Sequence, residues 1–210
     1  EMLSGAKESE TDYGTLYTPE YKEQYLSGVT YEITAREDIV TPEGTVWFHK
    51  GDVVDTFTTG DCVTTSALLQ LGKYSIKETA TQTGFVLDEN TYDFDIEYAG
   101  QMIDVVEIKQ AYVNERQKLD LQITKTFEDE YKDIVFGVYS KNDIALSDKV
   151  IIPADGLVGT LTIDEDGKNI EQLDLPTGEY YVKELETNVG FKLDEEKHDF
   201  TFDYDEDTTK

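Results

Sequence analysis

The chain has 210 residues and carries 46 Asp and Glu against 18 Lys and Arg, a formal net charge of -28. A field that negative repels phosphate backbones and anionic lipid, which disfavours nucleic acid and membrane surfaces as partners. No apolar run approaches the length of a bilayer span and no amino-terminal signal segment opens the chain, so a soluble segment of one large or two ordinary domains is expected.

Hydrophobic residues make up 38%, but 14 Tyr, 9 Phe and one Trp add amphipathic area that can fill two cores. Cys62 is the single cysteine, so no intrachain disulfide stiffens the fold.

In chain order, residues 1–27 hold charges and tyrosines with no match elsewhere, and Tyr13 to Tyr25 reads as a loop inserted before the first recognisable unit. YEITAREDI, from Tyr31 to Ile39, opens that unit, and Pro42-Glu43-Gly44 reads as a turn. In LGKYSIKETATQTGFVLDENTYDFDIEY, from Leu71 to Tyr98, the period is two. Tyr74, Ile76 and Glu78 share one face and Ser75 and Lys77 the other, as in a strand between core and solvent; Tyr92, Phe94, Ile96 and Tyr98 repeat that signature. Val106, Ile108, Gln110, Tyr112 and Asn114 alternate along one face of an expected closing strand.

The stretch Asn114-Glu115-Arg116-Gln117-Lys118 is too short and charged for a floppy tether, so a semi-rigid join to the second unit is expected there. Leu119, Leu121, Ile123 and Lys125 then place a lysine on the apolar side of a new first strand. FGVYSKNDI, from Phe136 to Ile144, repeats the opening block 105 positions on, and Asp164-Glu165-Asp166-Gly167 reads as a turn. PTGEYYVKELETNVGFKLDEEKHDFTFDY, from Pro176 to Tyr204, repeats the later block: Gly72, Tyr74, Lys77, Glu78, Gly84, Phe85, Leu87, Asp88, Phe94 and Tyr98 recur as Gly178, Tyr180, Lys183, Glu184, Gly190, Phe191, Leu193, Asp194, Phe200 and Tyr204. With Thr, Val, Tyr and Phe abundant and no amphipathic helix, the expected fold is all-β, a tandem of antiparallel Ig-like β-sandwiches of about 100 residues each. The expected boundaries are 28–116 and 117–210. The second unit is expected to lack its closing strand, because the counterpart of Gln101 to Asn114 would begin around Asp205 and the sequence stops at Lys210.

Alternation puts Glu78, Lys125 and Asn114 on inward faces. If Lys, Glu and Asn meet in an apolar interior, desolvation lowers the lysine pKa and raises that of the glutamate. A neutral amine can then attack the Asn side-chain carbonyl while the acid polarises it and shuttles a proton, releasing ammonia and leaving a Lys-Asn isopeptide bond. This is a single-turnover maturation step that ties first strand to last.

The motifs GKYSIKET, GFVLD, YDFDIEYAGQ and VNERQK, with QITKTF, GEYYVKE and GFKLD, resemble SpaA-type prealbumin-like (CnaB) domains of Gram-positive surface adhesins and pilins, over nearly the whole chain from Gly28. The resemblance implies Glu78 and Glu184 as promoting acids, Asn114 as acceptor and Lys125 as donor. In the first unit the repeat equivalent of Lys125 falls near Glu20, and Lys22 is poorly placed, so Lys7 is the donor candidate if its strand joins the unit. Asp203 and Asp205 alternate away from the face shared by Phe200 and Phe202 and are poor acceptors. The resemblance also implies an extracellular location, wall anchoring through sequence outside this segment, and neighbouring domains of the same surface protein as partners.

Competing assignments stay open on the residues alone: Glu78 and Glu184 as edge carboxylates paired with lysines, Asn114 as a turn residue, Lys125 as a strand-end lysine with its head in water, and Lys7 in a disordered tail. The acidic turns lack EF-hand spacing, His49 and His198 lack companions at metal-ligand spacing, and Cys62 lacks a basic neighbour, so no metal or cofactor is expected. Trp47 is either a carbohydrate platform or a residue packed on its own domain. The leading function is a non-enzymatic stalk or spacer. The alternative is an adhesin domain that recognises a host protein or carbohydrate, and a turnover enzyme ranks last because no nucleophile-base set recurs.

Overall fold

The computed structural model describes residues 1–101, 103, 105–126, 134–163 and 167–209. Among them run β1 (Met2–Thr11), β2 (Gly14–Lys22), β3 (Thr30–Ala35), β4 (Ile39–Val40), β5 (Val46–Phe48), β6 (Val53–Thr58), β7 (Gly72–Ala80), β8 (Thr91–Ile96), β9 (Leu119–Thr124), β10 (Val135–Ser140), β11 (Ile144–Leu146), β12 (Lys149–Ile152), β13 (Leu157–Thr162), β14 (Lys168–Leu173), β15 (Gly178–Glu186) and β16 (His198–Phe202). The chain divides into two compact units. One is Gln24–Gln117 with Asp205–Lys210, called the first repeat unit below; the other is Glu1–Glu23 with Lys118–Tyr204, the second repeat unit.

In the first repeat unit an antiparallel sheet has the order β6-β3-β7-β8. Period-two alternation is clean in β3, where Tyr31, Ile33 and Ala35 are buried and the residues between them are half-exposed. Those residues form a core with Val29, Ile39, Tyr74 and Ile76, against which Phe57, Phe94 and Tyr112 pack. Each large apolar side chain so buried contributes about 1.5–3 kcal/mol. Pro42-Glu43-Gly44 is a turn as expected, with Gly44 at φ 87° and its N–H donating to the Thr41 carbonyl at 2.9 Å.

The expected closing strand takes a different form. Residues 105–115 make no regular strand; pairing is confined to a bridge between Phe85 and Arg116, flanked by Val86 N–H to Glu115 O at 2.8 Å and Gln117 N–H to Gly84 O at 2.9 Å. Ile108 is therefore exposed, while Tyr112 packs on the core. Asp205 to Thr209 also belong to this unit: Leu87 N–H donates to Thr208 O at 2.7 Å, and buried Gln117 accepts from Asp205 N–H and donates to Asp207 O, both at 3.0 Å.

The second repeat unit repeats the same sheet as β13-β10-β15-β16 and extends it at β13 by β2 and then β1. The β9-β14 pair places Leu119, Leu121, Ile123 and Leu173 against a core that includes Ile134, Phe136, Val138, Tyr180 and Val182. Here the alternation differs from the first unit, because all of Val135–Ser140 is buried. The reason is the β1-β2 hairpin, which lengthens the sheet. Tyr13 to Tyr25 is thus no loop insertion: Gly14–Lys22 is a strand, paired with β1 throughout and bridged in parallel to β13 at Leu16 and Leu157. Residues 164–166 of the acidic turn lie outside the described residues.

Candidate functional site

Each repeat unit buries one glutamate at the same place, near the end of a nine-residue strand inside its sheet. Glu78 on β7 is 2% exposed and Glu184 on β15 is 1% exposed. Their cross-strand partners are also equivalent, Tyr31 on β3 and Phe136 on β10.

Around Glu78 the structure assembles an asparagine and a stack of phenols. Asn114 Nδ2 donates to Glu78 Oε1 at 2.7 Å and to the Val86 carbonyl at 3.1 Å. Tyr31 lies against both Phe57 and Tyr112, at 5.7 and 5.5 Å between ring centroids, and Tyr92 against Tyr112 at 4.7 Å. Burial pushes the Glu78 carboxyl above its usual range, while Asn114, the Asp88 backbone N–H and the Tyr31 hydroxyl pull it back and nearby Asp88 adds repulsion. These donors leave Oε2 without a hydrogen bond of full geometry. Desolvation pushes the Tyr112 phenol up to about 12 and Tyr31 higher still, the latter reinforced by the Glu78 charge.

Around Glu184 the set is different. Lys125, which follows β9 on its apolar side, places Nζ 3.2 Å from Glu184 Oε1 and 5.9 Å from the Phe136 ring centroid. The Asp194 backbone N–H donates to Glu184 Oε2 at 2.7 Å, and Asp194 is the repeat equivalent of Asp88. The ion pair meets the distance of a hydrogen bond but not its angles. Lys125 keeps 24% of its side chain exposed, so the pair opens to solvent on the lysine side.

The two repeats therefore hold complementary halves of the Lys-acid-Asn set. Glu78 meets Asn114 with no ion pair to a lysine among the described residues; Glu184 meets Lys125 with no asparagine hydrogen-bonded to it. Lys7, the first-unit donor candidate, sits on β1 opposite Thr18, in the second repeat unit, whereas Glu78 and Asn114 are in the first. The physical reason is that β1 is consumed by its hairpin with β2, which adds to β13. Gln117 escaped the sequence reading. Its junction position looked solvated, and only the tail wrapping over it makes it a buried double partner.

The remaining candidates are surface features. Trp47 lies on β5 and is 57% exposed. Cys62 is exposed and its thiol points to the Val63 carbonyl. His49 and His198 face Asp38 and Asp194 at 3.6 and 3.9 Å, and no group of three metal-ligating side chains occurs among the described residues. Among the described residues no helix is long and apolar enough to cross a membrane.

Two sheets of one strand order, each with a buried acid tied to a strand at the end of its own unit, define a tandem of prealbumin-like β-sandwich domains. The chain belongs to the SpaA family of prealbumin-like fold domains, whose family model matches residues 18–111 and again 119–210. Among solved structures it is similar to the Bacillus anthracis TIE protein, at 23% identity over 84% of this chain and 28% of that one, with a TM-score of 0.42. It is also similar to a streptococcal ancillary pilin, at 20% identity over 86% of this chain and 55% of that one, with a TM-score of 0.30. The chain thus spans well under two thirds of either protein. No curated protein matches it.

Proposed function

We propose that this chain is a non-enzymatic stalk or spacer segment of an extracellular, wall-anchored Gram-positive adhesin or pilus protein, flanked by further domains of the same protein. One observation carries the reading: in both repeats the buried acid ties the central sheet to a strand at one end of the unit, Glu78 to Asn114 in the closing segment and Glu184 to Lys125 after the opening strand. Such ties resist peeling of terminal strands, which is the failure mode of a sandwich pulled from its ends. The two buried acids are spent on this structural task, and no nucleophile-base-orienter set accompanies them among the described residues.

Among the described residues Glu78 has no ion pair to a lysine and Glu184 no hydrogen bond from an asparagine, which supports ties that act without a covalent bond in this segment. Intact-mass measurement is expected to return the full sequence mass. A loss of one ammonia would overturn the non-covalent reading and call for a donor to Asn114.

The stalk reading is tested on the whole surface protein. Deleting this segment is expected to abolish adhesion at the cell surface, and an unrelated tandem of two sandwiches of equal length is expected to restore it. Failure of that replacement, with the exposed Trp47 then required for attachment, favours the second reading, an adhesin domain that contacts host protein or carbohydrate.

A further inference from the structure

The two repeats share a sheet but differ in how they treat its outer face. In the first unit the outward positions of the two central strands are polar: Glu32 and Thr34 on β3, and Ser75 and Thr79 on β7. Their register equivalents in the second unit are Gly137 and Tyr139 on β10 and Tyr181 and Leu185 on β15, while on the edge strands Asp55, opposite buried Ile33, corresponds to Gly159, opposite buried Val138. The Thr34-Ser75 cross-strand pair thus becomes Tyr139-Tyr181, stacked at 5.1 Å with 9° between ring planes. Gly137 is required for this, since a Cβ there would meet the Tyr139 ring at 2.7 Å and Leu185 at 2.9 Å.

Tyr139, Tyr181 and Leu157 form a second apolar cluster whose other members are Leu185 and, from the hairpin, Tyr13 and Leu16. On the opposite face Ala6 and Tyr17 of the hairpin reach the main core. Edge strands are normally defended against strand addition by charge, which Asp55 supplies on β6 and Gly159 withholds on β13. The edge is built to accept a strand, and the hairpin carries apolar side chains for both faces of the sheet it joins.

The connectivity gives this contact a consequence. Gln24–Gln117 is inserted between two segments, Glu1–Glu23 and Lys118–Tyr204, that belong to one compact unit. We propose that the β1-β2 hairpin is a releasable clasp on the β13 edge. While it is closed, tension applied between Glu1 and Tyr204, both in the second repeat unit, passes through β2 into β13, and Gln24–Gln117 is a slack loop outside that load path; when it opens, the first repeat unit comes under load. This rests on the stalk reading. The hairpin is held by a single parallel bridge to β13, the aromatic cluster on one face and Ala6 and Tyr17 on the other, against nine paired positions within the hairpin itself, so the hairpin detaches as a body.

The test is single-molecule extension of the full chain held at Glu1 and at Tyr204, the two ends of the second repeat unit. An early step of up to about 75 Å, the reach of the hairpin residues, is expected. The long step of Gln24–Gln117 is expected never to come first. Replacing Tyr139→Thr, Tyr181→Ser and Leu185→Thr, the first unit's own residues, is expected to bring the early step to much lower force while the Lys118–Tyr204 step remains. As a second arm independent of that variant's folding, Leu16→Cys with Leu157→Cys in a Cys62→Ser background is expected to form a disulfide in the folded protein. That bridge removes both the early step and the Gln24–Gln117 step until it is reduced. Unfolding of Gln24–Gln117 first in the unmodified chain, or failure of the bridge to form, overturns the clasp. Neither outcome touches the stalk reading, which is judged by length replacement on the cell surface.

Discussion

Asn114 Nδ2 and Glu78 Oε1 stand 2.7 Å apart, a buried amide-carboxylate hydrogen bond between residues 36 positions apart in the chain. It fixes the irregular closing segment of the first repeat unit to β7, where the backbone supplies only the Phe85-Arg116 bridge and its two flanking bonds. Replacing Asn114 by Ala leaves a 2%-exposed carboxylate without that donor. The expected cost is about 2 kcal/mol, in the range for hydrogen bonds to charged groups. Hydrogen exchange resolved by unit checks it, with protection lost over residues 84–88 and 114–117 and retained in β9 to β16. Equal protection in wild type and variant would show that the bond carries no stability.

The pH dependence of the first unit follows from the same group. Burial raises the Glu78 pKa above its unfolded value, so the folded state holds a proton where the unfolded state has lost it. Its contribution is most favourable below the unfolded carboxyl pKa and declines as pH rises toward the folded value. Glu78→Gln keeps an acceptor for Asn114 and removes the charge. The variant is expected to gain on wild type from acid to neutral pH, in urea unfolding followed by Tyr fluorescence, and to show no advantage at acid pH. An advantage that grows on acidification would contradict the raised pKa.

Tandem repeat, strand period and inward direction of Glu78, Glu184 and Lys125 were legible because each depends on local alternation, which the pleat enforces residue by residue. The pairing of Asn114 with Glu78 was legible only in part: alternation along Val106 to Asn114 pointed it inward, yet residues 105–115 form no regular strand. The allegiance of β1 and β2 was not read. Tyr13, Leu16 and Tyr17 look the same whichever sheet they join, and the deciding signal lay elsewhere, in Gly137, Tyr139, Tyr181 and Leu185 standing where the first repeat has polar residues. A repeat comparison that asks which outward positions turn apolar would have found it.

Lys125 and Glu184 form the counterpart tie in the second repeat unit, 3.2 Å apart with the acid 1% exposed. Lys125→Met strands the carboxylate, which then keeps only the Asp194 N–H. A loss of about 3 kcal/mol is expected, the low end for breaking a buried pair, because the lysine side is partly solvated. Adding Glu184→Gln to Lys125→Met is expected to recover most of that loss, since the uncompensated charge rather than the missing attraction dominates it. A double-mutant cycle on unfolding of the second unit measures this. Additive losses would mean that the two side chains act independently.

Trp47 is the single tryptophan and reports on β5 without interference. The residues around it on the β4-β5 hairpin, Val40 and Val46, are 49% and 39% exposed, and Trp47 itself is 57% exposed. An indole in that position faces water on one side and gains little from its own domain, so Trp47→Ala is expected to change stability by less than about 0.5 kcal/mol. In native protein its emission is expected to be red-shifted and quenched by acrylamide nearly as strongly as after unfolding. The neutral quencher is the right probe, because a chain of net charge -28 repels iodide. Blue-shifted emission protected from acrylamide would show that Trp47 is covered in solution. The covering surface, whether its own domain or a second copy, is then separated by repeating the measurement across protein concentration.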